Sequence, residues 1–281
     1  MGRSRVQPSH PGRSVRISVT HAITYRYSGT VYLEPHTFRL RPREDGAQHV
    51  VRHALAISPA PAVRTECMDQ DGNVVAETWF DGPVETLSVE SAFTVELLRA
   101  NPFDFLLRDY SEGVRASLAA YLREPAPEVR DFAAAIAVEA GHPLDFLTAL
   151  NRHIAREFRY KARETGAAHA AEVTLRTREG SCRDLAVLFA DAARARGIAA
   201  RFVSGYECAS RTDQANMHAW AEVYLDGGGW RGYDPSAGLA VSTGHVAVAA
   251  AAEPALAAPV TGTFRGSAEA RMEFAIQVSG F

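Results

Sequence analysis

Gly180-Ser181-Cys182-Arg183-Asp184 is the stretch that decides the fold of this chain, and it stands directly before a predicted helix. Apolar side chains recur at helical spacing after it, at Leu185, Leu188, Phe189 and Ala192. Gly197 ends this pattern as a natural C-cap. Cys182 is therefore predicted to lie at a helix N-terminus, where free backbone N–H groups and the helix dipole favour a thiolate.

A nucleophilic cysteine needs a base that accepts its proton and a third group that orients the base. His218 begins a predicted strand, and Asp234 ends the next strand, after a glycine-rich turn. A strand histidine alone is more often a packed side chain, and an Asp-Pro pair alone more often ends a strand. Together with Cys182, these two residues predict a Cys-His-Asp triad.

The turn between the two strands decides whether His218 and Asp234 can meet. A two-residue turn at Gly227 and Gly228 would place them on opposite faces of the sheet. A three-residue loop over 225–227, with Gly227 left-handed, would set His218 directly opposite Asp234. Because directly opposed residues lie about 5 Å apart, the triad predicts this three-residue register or an equivalent bulge.

The composition is that of a globular protein whose partners are not polyanions. The chain has 281 residues, of which 47% are hydrophobic and 22% charged, and its net charge is -3. This charge implies no bulk attraction to nucleic acid or to an anionic membrane. The three cysteines form no disulfide framework, and no apolar run reaches the roughly 18 residues of a membrane span. Residues 1–14 lack the apolar region of a secretory signal, so we expect a cytoplasmic protein.

The periodicity divides the chain into four parts. A flexible tail is predicted over 1–14, and period-two alternation predicts a β-sandwich-like domain over 15–100. Residues 101–240 combine an alanine-rich helical segment with the part that carries the cysteine, and 241–281 form an extension that ends in a strand. The fold class is α+β.

Four sequence blocks carry a family resemblance. They span 180–186, 197–206, 218–224 and 229–235, and they contain Cys182, His218 and Asp234 in their motif contexts. In order and approximate spacing they resemble the core of the bacterial transglutaminase-like superfamily, in its cysteine-protease branch. The β-rich part resembles the domain that precedes this core in bacterial members. The resemblance covers the chain from about Val15 to Gly244.

The resemblance implies a papain-like core, in which a helix bearing the cysteine packs on an antiparallel sheet. It assigns Cys182 as nucleophile, His218 as general base and then acid, and Asp234 as the group that orients His218, with no cofactor. Two departures stand out. Arg176 occupies the position of the glutamine that papain-like proteases place six residues before the cysteine. Residues 250–253 stand where family members carry an arginine-aspartate pair, so the resemblance does not predict the substrate-side surface of that segment.

A tetrahedral intermediate needs hydrogen-bond donors for its oxyanion. The backbone N–H of Cys182 is one expected donor. Trp220 and Tyr160 are candidates for the second, although Trp220 could equally be core packing. Asp184 falls in the first helical turn, where a carboxylate favours the helix dipole, and we expect it to be structural.

Several functions remain open on the sequence alone. The leading hypothesis is a cysteine hydrolase of peptide or isopeptide amides, with a protein or peptide as its partner. An acyltransferase that joins glutamine to an amine is the alternative within enzymes. A catalytically silent scaffold that binds a peptide is the alternative outside them. A zinc site of Cys182, Cys208, His218 and Asp234 lacks the CxxC or HxxxH spacing that would support it, so no metal is expected.

Overall fold

The computed structural model describes residues 14–138, 141–163, 165–208 and 216–280. Apart from Ser14, the predicted tail lies outside these residues, and so do residues 209–215. Within the described residues, no helix is both long enough and apolar enough to cross a membrane. The α+β class is confirmed, because a β-rich sheet is followed by helices that pack on a second antiparallel sheet.

The N-terminal strands form one antiparallel sheet in the order β2-β5-β1-β4-β3. Their bounds are β1 Val15–Phe38, β2 Gln48–Ser58, β3 Val63–Met68, β4 Val74–Trp79 and β5 Pro83–Leu97. The first half of β1 pairs with β5 and its last residues pair with β4, so one long strand holds the sheet together. The short alternating runs of the sequence were thus parts of a single curved sheet of the half-barrel kind, rather than of two stacked ones.

The middle of the chain is helical, as the sequence predicts. The helices are α1 Glu112–Ser117, α2 Pro127–Ala137, α3 Pro143–Glu157, α4 Ala171–Thr177 and α5 Cys182–Arg194. A short 3₁₀ turn, Ala119–Tyr121, follows α1. Two short strands, β6 Arg159–Tyr160 and β7 Glu179–Gly180, pair in parallel beside the start of α5. Tyr160 is thereby held opposite Gly180, two residues before Cys182.

The second sheet supports α5. Its strands are β8 Ala200–Glu207, β9 Met217–Leu225, β10 Gly229–Asp234, β11 Leu239–Ala240 and β12 His245–Ala251, in the order β11-β10-β9-β8-β12. The apolar face of α5, including Leu185, Leu188 and Phe189, is buried against Phe202, Ala219 and other residues of this sheet. The predicted helix-on-sheet core is therefore present, with Cys182 at the end of the helix that faces β9.

The outer edge of β12 is covered by two side-chain amides from the N-terminal sheet. Gln48 donates to the Ala247 carbonyl (2.7 Å) and accepts from its N–H (2.9 Å). Asn73 bonds the N–H and carbonyl of Ala250 in the same way, at 2.8 Å each. Because each buried backbone group without a partner costs roughly 1–3 kcal/mol, these amides stabilise β12 as a neighbouring strand would.

The C-terminal extension returns to the N-terminal sheet. A 3₁₀ turn at Pro254–Ala257 follows β12, and strands β13 Val260–Arg265 and β14 Ala270–Ser279 both pair with β1. The strand predicted at the end of this extension is β14. In the segment that departs from the family pattern, Ala250 and Ala251 are fully buried, whereas Glu253 is exposed.

Candidate active site

The start of α5 is fixed by its N-cap. Asp184 accepts hydrogen bonds from the Ser181 N–H and hydroxyl, each at 2.8 Å, in a reciprocal capping box. Its other oxygen accepts from Arg163 (2.6 Å) and from the His169 N–H (2.7 Å). Asp184 is 1% exposed. These bonds hold the backbone around Cys182 rigidly, and they agree with the structural role expected for Asp184.

Arg183 ties a loop to the same helix end. Its guanidinium donates to the carbonyls of Arg163 and, at 2.7 Å, of Gly166. A partly open cleft of about 210 Å³ lies between this loop and the strand before Cys182. Polar and charged residues are the majority of those that line it, but the surface they leave open to the cleft is mostly apolar. The lining residues are Lys161, Ala162, Arg163, His169, Val173, Thr177, Glu179, Gly180, Ser181 and Asp184. A partly open groove therefore reaches Ser181, the residue that precedes the thiol.

The β9–β10 hairpin differs from the predicted register by two residues. Leu225 pairs with Gly229, so the loop holds three residues as expected, but they are 226–228 rather than 225–227. Gly227 is left-handed as predicted, with φ 87°, and Gly229 is left-handed too, with φ 69°. The prediction that His218 lies directly opposite Asp234 was therefore wrong. A shift of two residues keeps every side chain on its face, so both still point to the same side.

His218 and Asp234 meet diagonally across the two strands. The His218 Nε2 lies 2.7 Å from Asp234 Oδ2, and Asp234 is 1% exposed. Burial alone would lower the pKa of His218, but the hydrogen bonds and charges of Asp234 and Cys182 raise that pKa to about 10. Despite its burial, Asp234 has a pKa far below its usual range, because His218, His245 and Ser236 stabilise the carboxylate.

Cys182 is within hydrogen-bonding reach of the His218 ring. Because Nε2 is hydrogen-bonded to Asp234, Nδ1 is the ring nitrogen that can exchange a proton with the Cys182 sulfur. Burial would raise the pKa of the Cys182 thiol, but His218, the Ala219 backbone N–H and Arg183 together lower that pKa below its ordinary value. The structure thus brings Cys182, His218 and Asp234 into one row, in the arrangement of a thiolate–imidazolium pair with an orienting carboxylate.

Tyr160 and Trp220, the two candidates for the second oxyanion donor, occupy different places. Tyr160 is 52% exposed and its phenol lies beside Cys182. Burial of the hydroxyl, together with the neighbouring Cys182, raises the pKa of Tyr160, so the phenol keeps the proton it would donate. Its position is compatible with an oxyanion donor.

Trp220 forms the wall behind His218. It is 1% exposed, and its ring stacks on His218 at 6.3 Å between centroids. The glycines at 205 and 232 make room for it, since a Cβ at Gly205 would lie 2.7 Å from the indole. Its indole N–H is enclosed in the core and has no partner among the described residues. This burial favours the packing role that the sequence also allowed, and a role as oxyanion donor stays a prediction.

His245 is a further member of the site that the sequence argument missed. Its Nε2 lies 3.2 Å from Asp234 Oδ2, the same oxygen that binds His218. The three ligand atoms of His218, Asp234 and His245 lie within 4.8 Å of one another, a group that could hold a cation but is already linked by hydrogen bonds. The only signal in the sequence was a histidine at the start of an alanine-rich run.

Cys208 does not join this group. It is 2% exposed within an apolar cluster between the two sheets, and burial raises its pKa to about 12. A cysteine binds a metal ion as the thiolate, and the raised pKa keeps Cys208 protonated. The four-residue zinc site considered from the sequence is therefore not assembled by the described residues.

Alkylation should distinguish the three thiols. At about pH 6.5, limiting iodoacetamide is expected to label Cys182 before Cys67 and Cys208, because a free thiol with a pKa of about 8.5 is almost wholly protonated there. Peptide mapping by mass spectrometry measures the order. Cys67 is exposed and serves as the internal control for access. Labelling of Cys67 first would mean that Cys182 is not ionised.

Comparisons with known proteins match two parts of this chain to family models. Residues 130–235 match the model of the transglutaminase-like superfamily, and residues 17–96 match that of the bacterial transglutaminase-like N-terminal region. The first match ends one residue after Asp234 and so spans Cys182, His218 and Asp234. An uncharacterized protein of Mycobacterium tuberculosis is 28% identical over 279 residues, covering 90% of this chain and 89% of its own length. An uncharacterized Mycobacterium leprae protein is 24% identical, with 94% and 98% coverage.

A solved structure extends the similarity to the whole fold. It is the Cytophaga hutchinsonii protein described as a "Putative Cysteine Protease", which superposes with a TM-score of 0.72 over 96% of this chain and 91% of that one. The two sequences are 20% identical, so this similarity concerns the fold. The matched core and the matched N-terminal region, which together cover about two thirds of the chain, show that the chain belongs to the transglutaminase-like superfamily.

Proposed function

We propose that this protein is a cysteine hydrolase of peptide or isopeptide amide bonds. The observation that carries the proposal is the row of Cys182, His218 and Asp234, with a 2.7 Å bond between the last two. Cys182 is the nucleophile, His218 is general base and acid, and Asp234 orients His218. The superfamily membership supports cysteine-dependent chemistry.

The mechanism follows from the protonation states. The Cys182 thiolate attacks the substrate carbonyl carbon, and the tetrahedral oxyanion accepts hydrogen bonds from the Cys182 backbone N–H and from Tyr160. The His218 imidazolium gives its Nδ1 proton to the leaving amine as the C–N bond breaks, which leaves a thioester. The neutral His218 then takes a proton from water, whose oxygen attacks the thioester and releases the acid. Cys182 leaves as the thiolate, and His218 holds the proton again.

Water is the proposed acyl acceptor because the cleft offers little shelter. Water is present at about 55 M. An amine therefore competes with it only where a dedicated site lowers the barrier to amine attack by several kcal/mol through proximity. Such a site needs a sheltered, apolar channel. The cleft beside Cys182 is partly open to solvent, and the charged side chains of Lys161 and Arg163 are among those that line it, so it is not a closed apolar channel. Transfer to an amine is the alternative outcome.

The experiment offers glutamine- and asparagine-containing peptides together with excess small primary amine, and it identifies the products by mass. Cleaved peptide or free acid as the main product supports hydrolysis. A mass gain that matches the amine adduct, with ammonia released, would make the protein an acyltransferase. If none of the peptides reacts although Cys182 is readily alkylated, a peptide-binding scaffold without catalytic activity would be favoured.

The cysteines bear on where this activity takes place. Cys67, Cys182 and Cys208 are all unpaired, and free thiols persist in reducing compartments. This supports a cytoplasmic site of action, on a protein or peptide substrate. Fractionation of cells that express the tagged protein tests the compartment, and recovery from an oxidising one would overturn it.

A further inference from the structure

We infer that His245 is a positioning residue that fixes the carboxylate of Asp234, and through it the ring of His218. The inference deepens the proposed function, on which its kinetic consequence rests. It starts from the four hydrogen bonds that Asp234 accepts. Oδ1 takes the Ser236 N–H at 3.0 Å and the Ser236 hydroxyl at 2.6 Å. Oδ2 takes His218 at 2.7 Å and His245 at 3.2 Å.

These four bonds use the full capacity of the carboxylate. Each carboxylate oxygen offers about two acceptor sites, and a buried charge is stable only when such sites are filled. Asp234 is buried, so the fourth bond is made by His245 rather than by bulk water. His245 must carry its proton on Nε2 in order to donate it.

The bond to His245 also prevents the carboxylate from turning. Without it, only the two bonds from Ser236 hold the Asp234 carboxylate firmly, because the His218 ring can shift with its other hydrogen-bond partners. The carboxylate can then rotate toward Ser236, which lengthens its bond to His218. A His218 ring that is less firmly held gives less stabilisation to the Cys182 thiolate, and misplacement by about 1 Å can reduce a catalytic rate a hundredfold.

His245 is itself held by packing and by its strand. Its ring and that of Trp220 form a T-shaped pair at 5.2 Å between centroids, and Trp220 in turn stacks on His218. Its side chain is 8% exposed. Two residues later, Gln48 clamps Ala247 from the N-terminal sheet. The N-terminal sheet thus helps to fix the strand that carries His245.

His245→Phe tests the inference, because phenylalanine keeps a ring against Trp220 but cannot donate to Asp234. His245→Gln is the conservative variant, since its amide can donate from about the position of Nε2. The first measurement is the pH profile of Cys182 alkylation by iodoacetamide, which needs no substrate. We expect the acid limb of His245→Phe to move toward the free-thiol value of about 8.5, and that of His245→Gln to stay near that of the parent.

The second measurement is peptide hydrolysis, where kcat of His245→Phe is expected to fall about ten- to a hundredfold at nearly constant KM. Thermal melting shows whether each variant folds, and His49→Phe, at an exposed histidine of β2, controls for the exchange of ring types. A folded His245→Phe with an unchanged alkylation profile would overturn the inference. A profile that moves to lower pH would also overturn it, since His245 would then compete with His218 for Asp234. If no peptide is hydrolysed by any form, the alkylation profiles still decide the role of His245, and only the proposed function fails.

Discussion

Cys182→Ala is expected to abolish amide hydrolysis, with a loss of roughly a millionfold in kcat, while the fold survives. The nucleophile is lost entirely, and no other thiol can replace it, because Cys208 is enclosed between the sheets and Cys67 lies in β3 of the N-terminal sheet. Alanine suits the first turn of a helix, and the capping box of Ser181 and Asp184 does not use the thiol.

The measurement is product formation by mass spectrometry, together with the melting temperature of the variant. Cys67→Ala is the matched control, since it removes an exposed thiol and should keep full activity. Cys182→Ala should also lose the fast alkylation seen at about pH 6.5. Hydrolysis by a folded Cys182→Ala above the uncatalysed rate would place the nucleophile elsewhere.

The local features of the site could be predicted from the sequence because short-range rules govern them. The helix begins at Cys182 and ends at Arg194, as its apolar spacing and Gly197 indicate. His218 and Asp234 share a face because the three-residue loop length keeps the period of two. The register itself could not be predicted. A run of three glycines from Gly227 to Gly229 permits left-handed backbone at more than one position, so composition does not choose the residue that turns.

The contacts that depend on distant segments were beyond the sequence argument. The strand that begins at His245 is buried on both faces, so it shows no alternation, and its alanines give no periodic signal. Its outer edge is completed by Gln48 and Asn73, which are nearly two hundred residues away in the chain. The same holds for Trp220, whose packing depends on glycines in two other strands. Such partners become visible only once the sheets are assembled.

Asp234→Asn is expected to lower kcat by about four powers of ten, as in other triads, while the protein remains folded. An asparagine amide has one acceptor oxygen and one NH₂ group. If the NH₂ takes the place of Oδ2, it faces the donors of His218 and His245. If it takes the place of Oδ1, it faces the backbone N–H of Ser236. In either orientation the NH₂ group faces another hydrogen-bond donor, and that donor loses its acceptor. His218 also loses the anion that stabilises its imidazolium.

The same substitution should also shift the pH profile of kcat/KM in a defined direction. Asp234 raises the pKa of His218, so its neutralisation lowers that pKa, and the Cys182 thiolate loses its cationic partner. The acid limb of kcat/KM should therefore move to higher pH, and the alkaline limb to lower pH, so that the range of activity narrows from both sides. Asp81→Asn, at an exposed turn, is the control for the loss of one carboxylate. An Asp234→Asn variant with parental rates and an unchanged profile would remove Asp234 from the mechanism and leave Cys182 and His218 as a dyad.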